Sequence, residues 1–185
     1  TSAITLQMVS STMPKITIPG AVLPAGLQKK YECLIAQLST LLRDGLIVAY
    51  SGGVDSSFLL WTANYVASAD RLKDNLLALT TVSSSMANSE RIDAAQFAAE
   101  IGVKHVWEES LELENPEYKK NDSNRCYYCK SELFRITGDC LKKYKLKNVA
   151  YGYNASDKAD VRPGHKAAIE NNVVSPLADC ELSKD

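Results

Sequence analysis

The sequence predicts an α/β protein, a three-layer α/β/α arrangement around a five-stranded, mostly parallel sheet. Short apolar runs alternate with longer segments whose apolar residues recur at helical spacing. That alternation calls for parallel strands, because each parallel connection needs a crossover that a helix supplies. A third observation is the loop Ser51-Gly52-Gly53-Val54-Asp55-Ser56-Ser57, which joins the most apolar strand to a following helix. Ligands of open parallel sheets bind at such strand ends.

The elements follow in order. Residues 1–26 carry Pro14, Pro19 and Pro24 without a sustained period, and read as a flexible tail before a domain over 27–185. Tyr31, Leu34, Ile35, Leu38, Leu41 and Leu42 mark an amphipathic helix that stops at Asp44-Gly45. Leu46 to Tyr50 is a strand buried on both faces. After the loop, Val54, Phe58, Trp61 and Tyr65 line one face of a helix. Leu76 to Val82 is a second strand, followed by a helix capped by Asn88 or Ser89, with Ile92, Ala95 and Ala99 inward. A third strand, Val103 to Glu108, leads through a polar loop to Arg125. Leu133, Thr137, Cys140 and Tyr144 mark another helix, and Val149–Tyr151 and Val173–Ser175 supply the last strands. Leu182-Ser183-Lys184-Asp185 reads as the opening of a further helix, which predicts a missing C-terminal part.

The bulk numbers exclude several classes. In 185 residues, 21 Lys and Arg nearly balance 22 Asp and Glu, so no global basic field draws the molecule to nucleic acid or anionic lipid. No apolar run approaches the ~20 residues that span a bilayer. Five cysteines, two of them in Cys126-x-x-Cys129, suit metal or redox chemistry better than a secreted disulfide framework, which makes the cytoplasm the expected compartment. Cys33 and Cys140 fall on apolar helical faces and read as core, as do Trp61 and Trp107. His105 reads as packed, and His165 as a weak candidate in a Pro-Gly turn.

The loop's chemistry points to phosphate. Gly52 and Gly53 let the backbone turn and approach a ligand, and the first amides of a helix attract an anion. Neither G-x-x-x-x-G-K-[ST] nor G-x-G-x-x-G is present. The loop offers instead the carboxylate of Asp55, which suits phosphate when Mg²⁺ lies between them. Asp55 and Ser56 acting only as helix caps is the plainer alternative.

S-G-G-V-D-S resembles the PP-loop of the ATP pyrophosphatases, which bind ATP and cleave between the α and β phosphates. The resemblance implies a Rossmann-like adenine nucleotide alpha hydrolase fold, ATP and Mg²⁺ as ligands, and Ser51, Gly52, Gly53, Val54, Asp55, Ser56 and Ser57 as the pyrophosphate cradle. Three further stretches, R-C-Y-Y-C-K at 125–130, G-Y-N-A-S-D at 152–157 and D-V-R-P-G at 160–164 with Ser175-Pro176-Leu177, look like the LarE family of ATP-dependent sulfur transferases.

The LarE resemblance implies that a pyridine mononucleotide carboxylate is adenylated and then receives sulfur, in the making of a nickel-pincer nucleotide cofactor. Arg162 is the implied catalytic cation, with Lys158 and Lys166 as weaker candidates that also read as surface charges. Thr80, with the run to Ser85, is expected at adenine and ribose, and Gly152 and Asn154 near the nucleotide. Asp157 and Asp160 fit cation pairing, metal binding or solvent. Cys126 and Cys129 resemble the branch that holds a [4Fe–4S] cluster, with a third cysteine expected further along, and Cys180 as a poor substitute. A chance pair of thiols is the alternative. A homo-oligomer is expected through the missing C-terminal region, with a small nucleotide as partner rather than membrane or nucleic acid. Competing readings are a tRNA-thiolating or an NAD/GMP-synthetase-like PP-loop enzyme, and an ATP-binding module without catalysis.

Overall fold

The computed structural model describes residues 23–82, 86–110, 125–159 and 163–184. Four strands form one parallel sheet: β1 (Leu46–Ala49), β2 (Leu76–Val82), β3 (His105–Glu109) and β4 (Asn148–Tyr151), in the order β3-β2-β1-β4. The expected fifth strand is reduced to a single bridge between Ala150 and Val174. Pro176, which has no N–H to donate, already opens a helical turn two residues later, so pairing cannot extend.

The helices are α1 (Ala25–Arg43), α2 (Val54–Ala69), α3 (Asn88–Glu100), α4 (Arg125–Tyr144), α5 (Pro163–Glu170) and the one-turn α6 (Pro176–Asp179). Strand periodicity sorts the sheet residues into two layers. Leu46, Val48, Leu76, Ala78 and Ala150 face one side and pack with Leu34, Leu38 and Leu42 of α1 and Leu59, Leu60 and Ala63 of α2. Ile47, Ala49, Leu77, Leu79 and Val149 face the other, against Phe134, Ile136 and Cys140 of α4 and Ala167 and Ala168 of α5. Both faces of the central strands are therefore apolar, as a doubly covered parallel sheet requires.

Two helix faces differ from expectation. In α2 the buried stripe is Leu59, Leu60, Ala63, Val66 and Ala67, whereas Val54, Phe58 and Trp61 are exposed large hydrophobics. Apolar residues run almost all round this helix, so periodicity could not select the inward face, and Trp61 stacks on Tyr65 outside the core. In α3 the small residues Ala94 and Ala98 face inward while Ile92 is exposed. Gly52 explains this choice: a Cβ added there would lie 3.3 Å from the Ala94 Cβ, so the loop seats close against the helix and leaves room only for alanine. Ala87 occupies the N-cap of α3, without a side-chain cap bond from Asn88 or Ser89.

The cysteines also depart from expectation. Cys33 is exposed rather than buried in the core, and it forms a disulfide with Cys180, tying α1 to the segment after α6. Residues 182–184 have no regular structure, so the expected helix does not begin there among the described residues. No helix among them is long and apolar enough to cross a membrane.

Candidate active site

The chain leaves β1 toward β2 on one side and returns through α4 to β4 on the other, so β1 and β4 are neighbours whose following connections part to opposite faces. That divergence makes a crevice at their carboxyl ends. The loop after β1 and Gly152 after β4 meet there. A Cβ at Gly152 would stand 2.7 Å from the Ser56 amide nitrogen, so a side chain has no room at that position.

The loop is built by its own serines. Gly52 turns the chain at φ +82°, a region that glycine enters without steric cost. Ser56 Oγ donates to the Gly53 carbonyl at 2.9 Å and accepts from the Ser51 amide at 3.3 Å. Ser51 Oγ lies 3.1 Å from Ser56 Oγ and accepts from the Gly53 amide at 3.4 Å, and Ser57 Oγ donates to the Gly52 carbonyl. Gly53 sits at the N-cap of α2, so the amides of the first turn lack intrahelical acceptors, an arrangement that attracts anions.

Asp55 does not cap this helix, because the N-terminus of α2 has no side-chain cap bond. Its Oδ2 instead lies 3.3 Å from Lys184 Nζ. Lys184 was not singled out in the sequence; the stretch after Ser175-Pro176-Leu177 gives no period or motif that marks a lysine as facing the loop. Its position follows from a series of backbone anchors. Lys30 Nζ donates to the Glu181 carbonyl at 2.7 Å, the Ala155 amide to the Leu182 carbonyl at 2.7 Å, and the Lys184 amide to Ser156 Oγ.

These groups line a cavity of about 520 Å³. Ser51, Gly53, Val54, Asp55 and Ser56 form one end, with Gly152 beside them, and Cys126, Cys129, Lys130 and His165 form another part of its wall. Thr80 also lines it, although its hydroxyl is engaged internally: Oγ1 donates to the Tyr50 carbonyl at 2.6 Å and lies 2.8 Å from His105 Nε2. With the hydroxyl proton committed to Tyr50, His105 supplies the proton of the second bond. Burial pushes His105 below its ordinary value, in keeping with that uncharged ring.

The remaining candidates divide. Asn154 is buried outside the cavity lining, where its Oδ1 accepts from the Asp157 amide and its own amide donates to Asp157 Oδ2, both at 3.2 Å. Asp157 is buried too and lines the cavity. Lys158 donates to the Ala178 carbonyl at 2.6 Å, and exposed Lys166 lies 3.9 Å from Glu170. Asp160, Arg162 and residues 83–85 lie outside the described residues.

Cys126 is exposed and Cys129 half-buried in the first turns of α4. Neither pairs with a cysteine among the described residues. Cys140 is buried near Glu108, and burial with that carboxylate pushes its thiol up to about 11. Cys33 and Cys180 are joined to each other. Among the described residues no group of three His, Cys, Asp or Glu side chains stands ready to hold a metal. Two thiols fall short of the three or four protein ligands a [4Fe–4S] cluster takes, so these residues do not by themselves fit one. A magnesium ion fits better, with Asp55 as its carboxylate beside the phosphate loop.

A serine- and glycine-built phosphate loop at the crevice of a doubly covered parallel sheet defines the PP-loop class of ATP-using proteins. The chain has the fold of the PP-loop ATP pyrophosphatases and is a relative of a LarE-type synthase. It is 30% identical over 161 residues to the pyridinium-3,5-bisthiocarboxylic acid mononucleotide synthase of Lactiplantibacillus plantarum, covering 86% of this chain and 56% of that one. It is 40% identical over 141 residues to an uncharacterized protein of Synechocystis sp., covering 76% and 51%. The chain thus spans about half the length of the curated relatives it matches. Among solved structures, the glutamine-dependent NAD⁺ synthetase of Acinetobacter baumannii bound to ADP shares the fold with a TM-score of 0.60 at 18% identity, over 78% of this chain and 29% of that one. The U34-tRNA thiolase NcsA of Methanococcus maripaludis, solved with its [4Fe–4S] cluster, gives 0.54 at 20%, over 80% and 59%. No protein-family model matches the chain.

Proposed function

We propose that this chain is the ATP-binding and adenylating part of a LarE-like sulfur transferase, which activates the carboxylate of a pyridine mononucleotide and passes sulfur to it. The observation that carries this reading is that the phosphate loop and the thiols of Cys126 and Cys129 share one cavity. An amide ligase of the NAD- or GMP-synthetase kind has no use for thiols at that position.

In this reading the amides of Val54 to Ser56 clasp the outer phosphates and hold ATP in one register. Asp55 would hold magnesium beside the phosphates, and the ion would supply compensation for the negative charge there. Lys184 adds a cation beside Asp55, and Arg162 is the proposed second one. Gly152 keeps the strand end low enough for the acceptor to reach the nucleotide. Cys126, exposed to the cavity, is the proposed nucleophile, whose sulfur bonds to the carboxyl carbon of the adenylated acceptor as the bond to AMP breaks and AMP leaves.

The test is pyrophosphate release from ATP and Mg²⁺ with a pyridine-3-carboxylate mononucleotide, alongside bulk tRNA and no acceptor. Release and an AMP adduct seen by mass spectrometry only with the small nucleotide are expected. Turnover with tRNA alone would favour the thiolase reading, and tight ATP binding without turnover under any condition would favour a binding module.

A further inference from the structure

Deepening the reading above, and resting on it, we propose that Lys130 and His165 form the subsite that holds the acceptor's carboxylate at the cysteine end of the cavity. Lys130 follows Cys126 by four residues on α4, so the two share a face. Gly164 fits against both: a Cβ there would lie 2.9 Å from Lys130 Cγ and 3.1 Å from Cys126 Sγ. His165 is the next residue. Both basic groups also flank one ring, since Lys130 Nζ is 5.9 Å from the Tyr151 centroid and His165 Nδ1 is 2.7 Å from Tyr151 Oη.

Burial pushes the Tyr151 phenol up to about 12, so it keeps its proton. In the Nε2–H tautomer of His165, the phenol donates its proton to Nδ1 across the 2.7 Å contact. Tyr153 stacks on the imidazole at 4.2 Å and 5°, which fixes the ring plane. The imidazole thus presents one oriented donor, Nε2–H.

Among the described residues Lys130 makes no ion pair. Asp157 and Asp179 are the acidic groups whose fields reach Tyr151; Asp157 Oδ2 is turned to the Asn154 amide, and Asp179 Oδ2 accepts from Gln37 Nε2. One cation beside one uncharged donor matches a group with a single negative charge and two oxygens, and suits a carboxylate better than a doubly charged phosphate. The location suits it as well, because the carboxyl carbon is where sulfur must arrive.

The test is calorimetric titration of the full chain at pH 7.5 with nicotinic acid mononucleotide, which carries the carboxylate, and nicotinamide mononucleotide, which carries the amide. Wild type is expected to prefer the acid, and His165→Phe and Lys130→Met each to weaken acid binding about tenfold or more, the scale of a lost charge-assisted bond. His165→Gln keeps an N–H near the Nε2 position and is expected to stay within about threefold. ATP affinity, measured separately, should be the same in all four proteins. Equal binding of acid and amide by wild type overturns the subsite, as does acid binding unchanged in the Phe and Met variants. Loss of ATP binding in wild type sinks the proposed function instead, and the acid-versus-amide comparison stays readable. If His165→Phe does not fold, Lys130→Met and Tyr151→Phe, which removes the proton that orients the imidazole, decide the matter.

Discussion

Lys184 Nζ stands 3.3 Å from Asp55 Oδ2, which joins the last described residue to the centre of the phosphate loop. The lysine side chain is 57% exposed and the aspartate 25%, so solvent screens the pair and its share of fold stability is small, about 1 kcal/mol or less. Its proposed effect is on ligand binding. Lys184→Met should weaken MgATP binding about tenfold, the loss of one charge-assisted contact, while moving the urea midpoint little. Asp55→Asn should weaken ATP binding in magnesium far more than in EDTA. Calorimetry with and without the metal checks both, and equal losses for Asp55→Asn in the two buffers would exclude a metal-mediated role.

Gly152→Ala places a methyl group 2.7 Å from the Ser56 amide nitrogen, a backbone atom that cannot swing aside. The expected cost is on the order of 1–3 kcal/mol, the range for overpacking a close contact. Because the displaced atoms belong to the phosphate loop, ATP affinity should fall with stability. A thermal melt and an ATP titration on the same sample measure the two together.

Iodoacetamide at pH 8 should distinguish the thiols. Cys126 is exposed and should react first, whereas Cys140, buried and pushed up to about 11, should stay unmodified in the folded chain. MgATP bound at the loop as proposed should slow labelling of Cys126, because Cys126 lines the same cavity as the loop. Peptide mapping reads out each site, and rapid modification of Cys140 would contradict the packing of α4 on the sheet.

His105 sets a pH dependence. Its folded value lies below the ordinary 6.5, so below about pH 6.5 the unfolded chain binds a proton that the folded chain refuses. Stability should therefore be full above that pH and decline as pH falls toward the folded value. His105→Gln, which keeps a donor for Thr80, should flatten the decline in urea midpoints measured from pH 7.5 to 5.5.

The sheet and the loop were legible because their signals are local. Leu46 to Ala49 is apolar throughout, which specifies burial on both faces, and two glycines followed by Asp55 mark a strand-to-helix turn at a strand end. Helix faces were less legible. In α2, Leu59 and Leu60 compete with Phe58 and Trp61 for the core, and only the packing against Val48 and Ala78 decides between them. Lys184 and the Cys33–Cys180 pair could not be read at all, because both depend on where the segment after α6 crosses the sheet ends. His165 was not legible as more than a turn residue, because its placement depends on Tyr151, at the end of β4, and Tyr153, two residues beyond, which hold the ring.

The bond between Cys33 and Cys180 has a topological consequence. It joins residues 147 positions apart and closes a covalent ring that contains all four strands and the entire loop after β1. A protease that nicks this ring once opens it without releasing a piece. The two lengths of polypeptide would migrate as one band on a denaturing gel and part only after a thiol reductant is added.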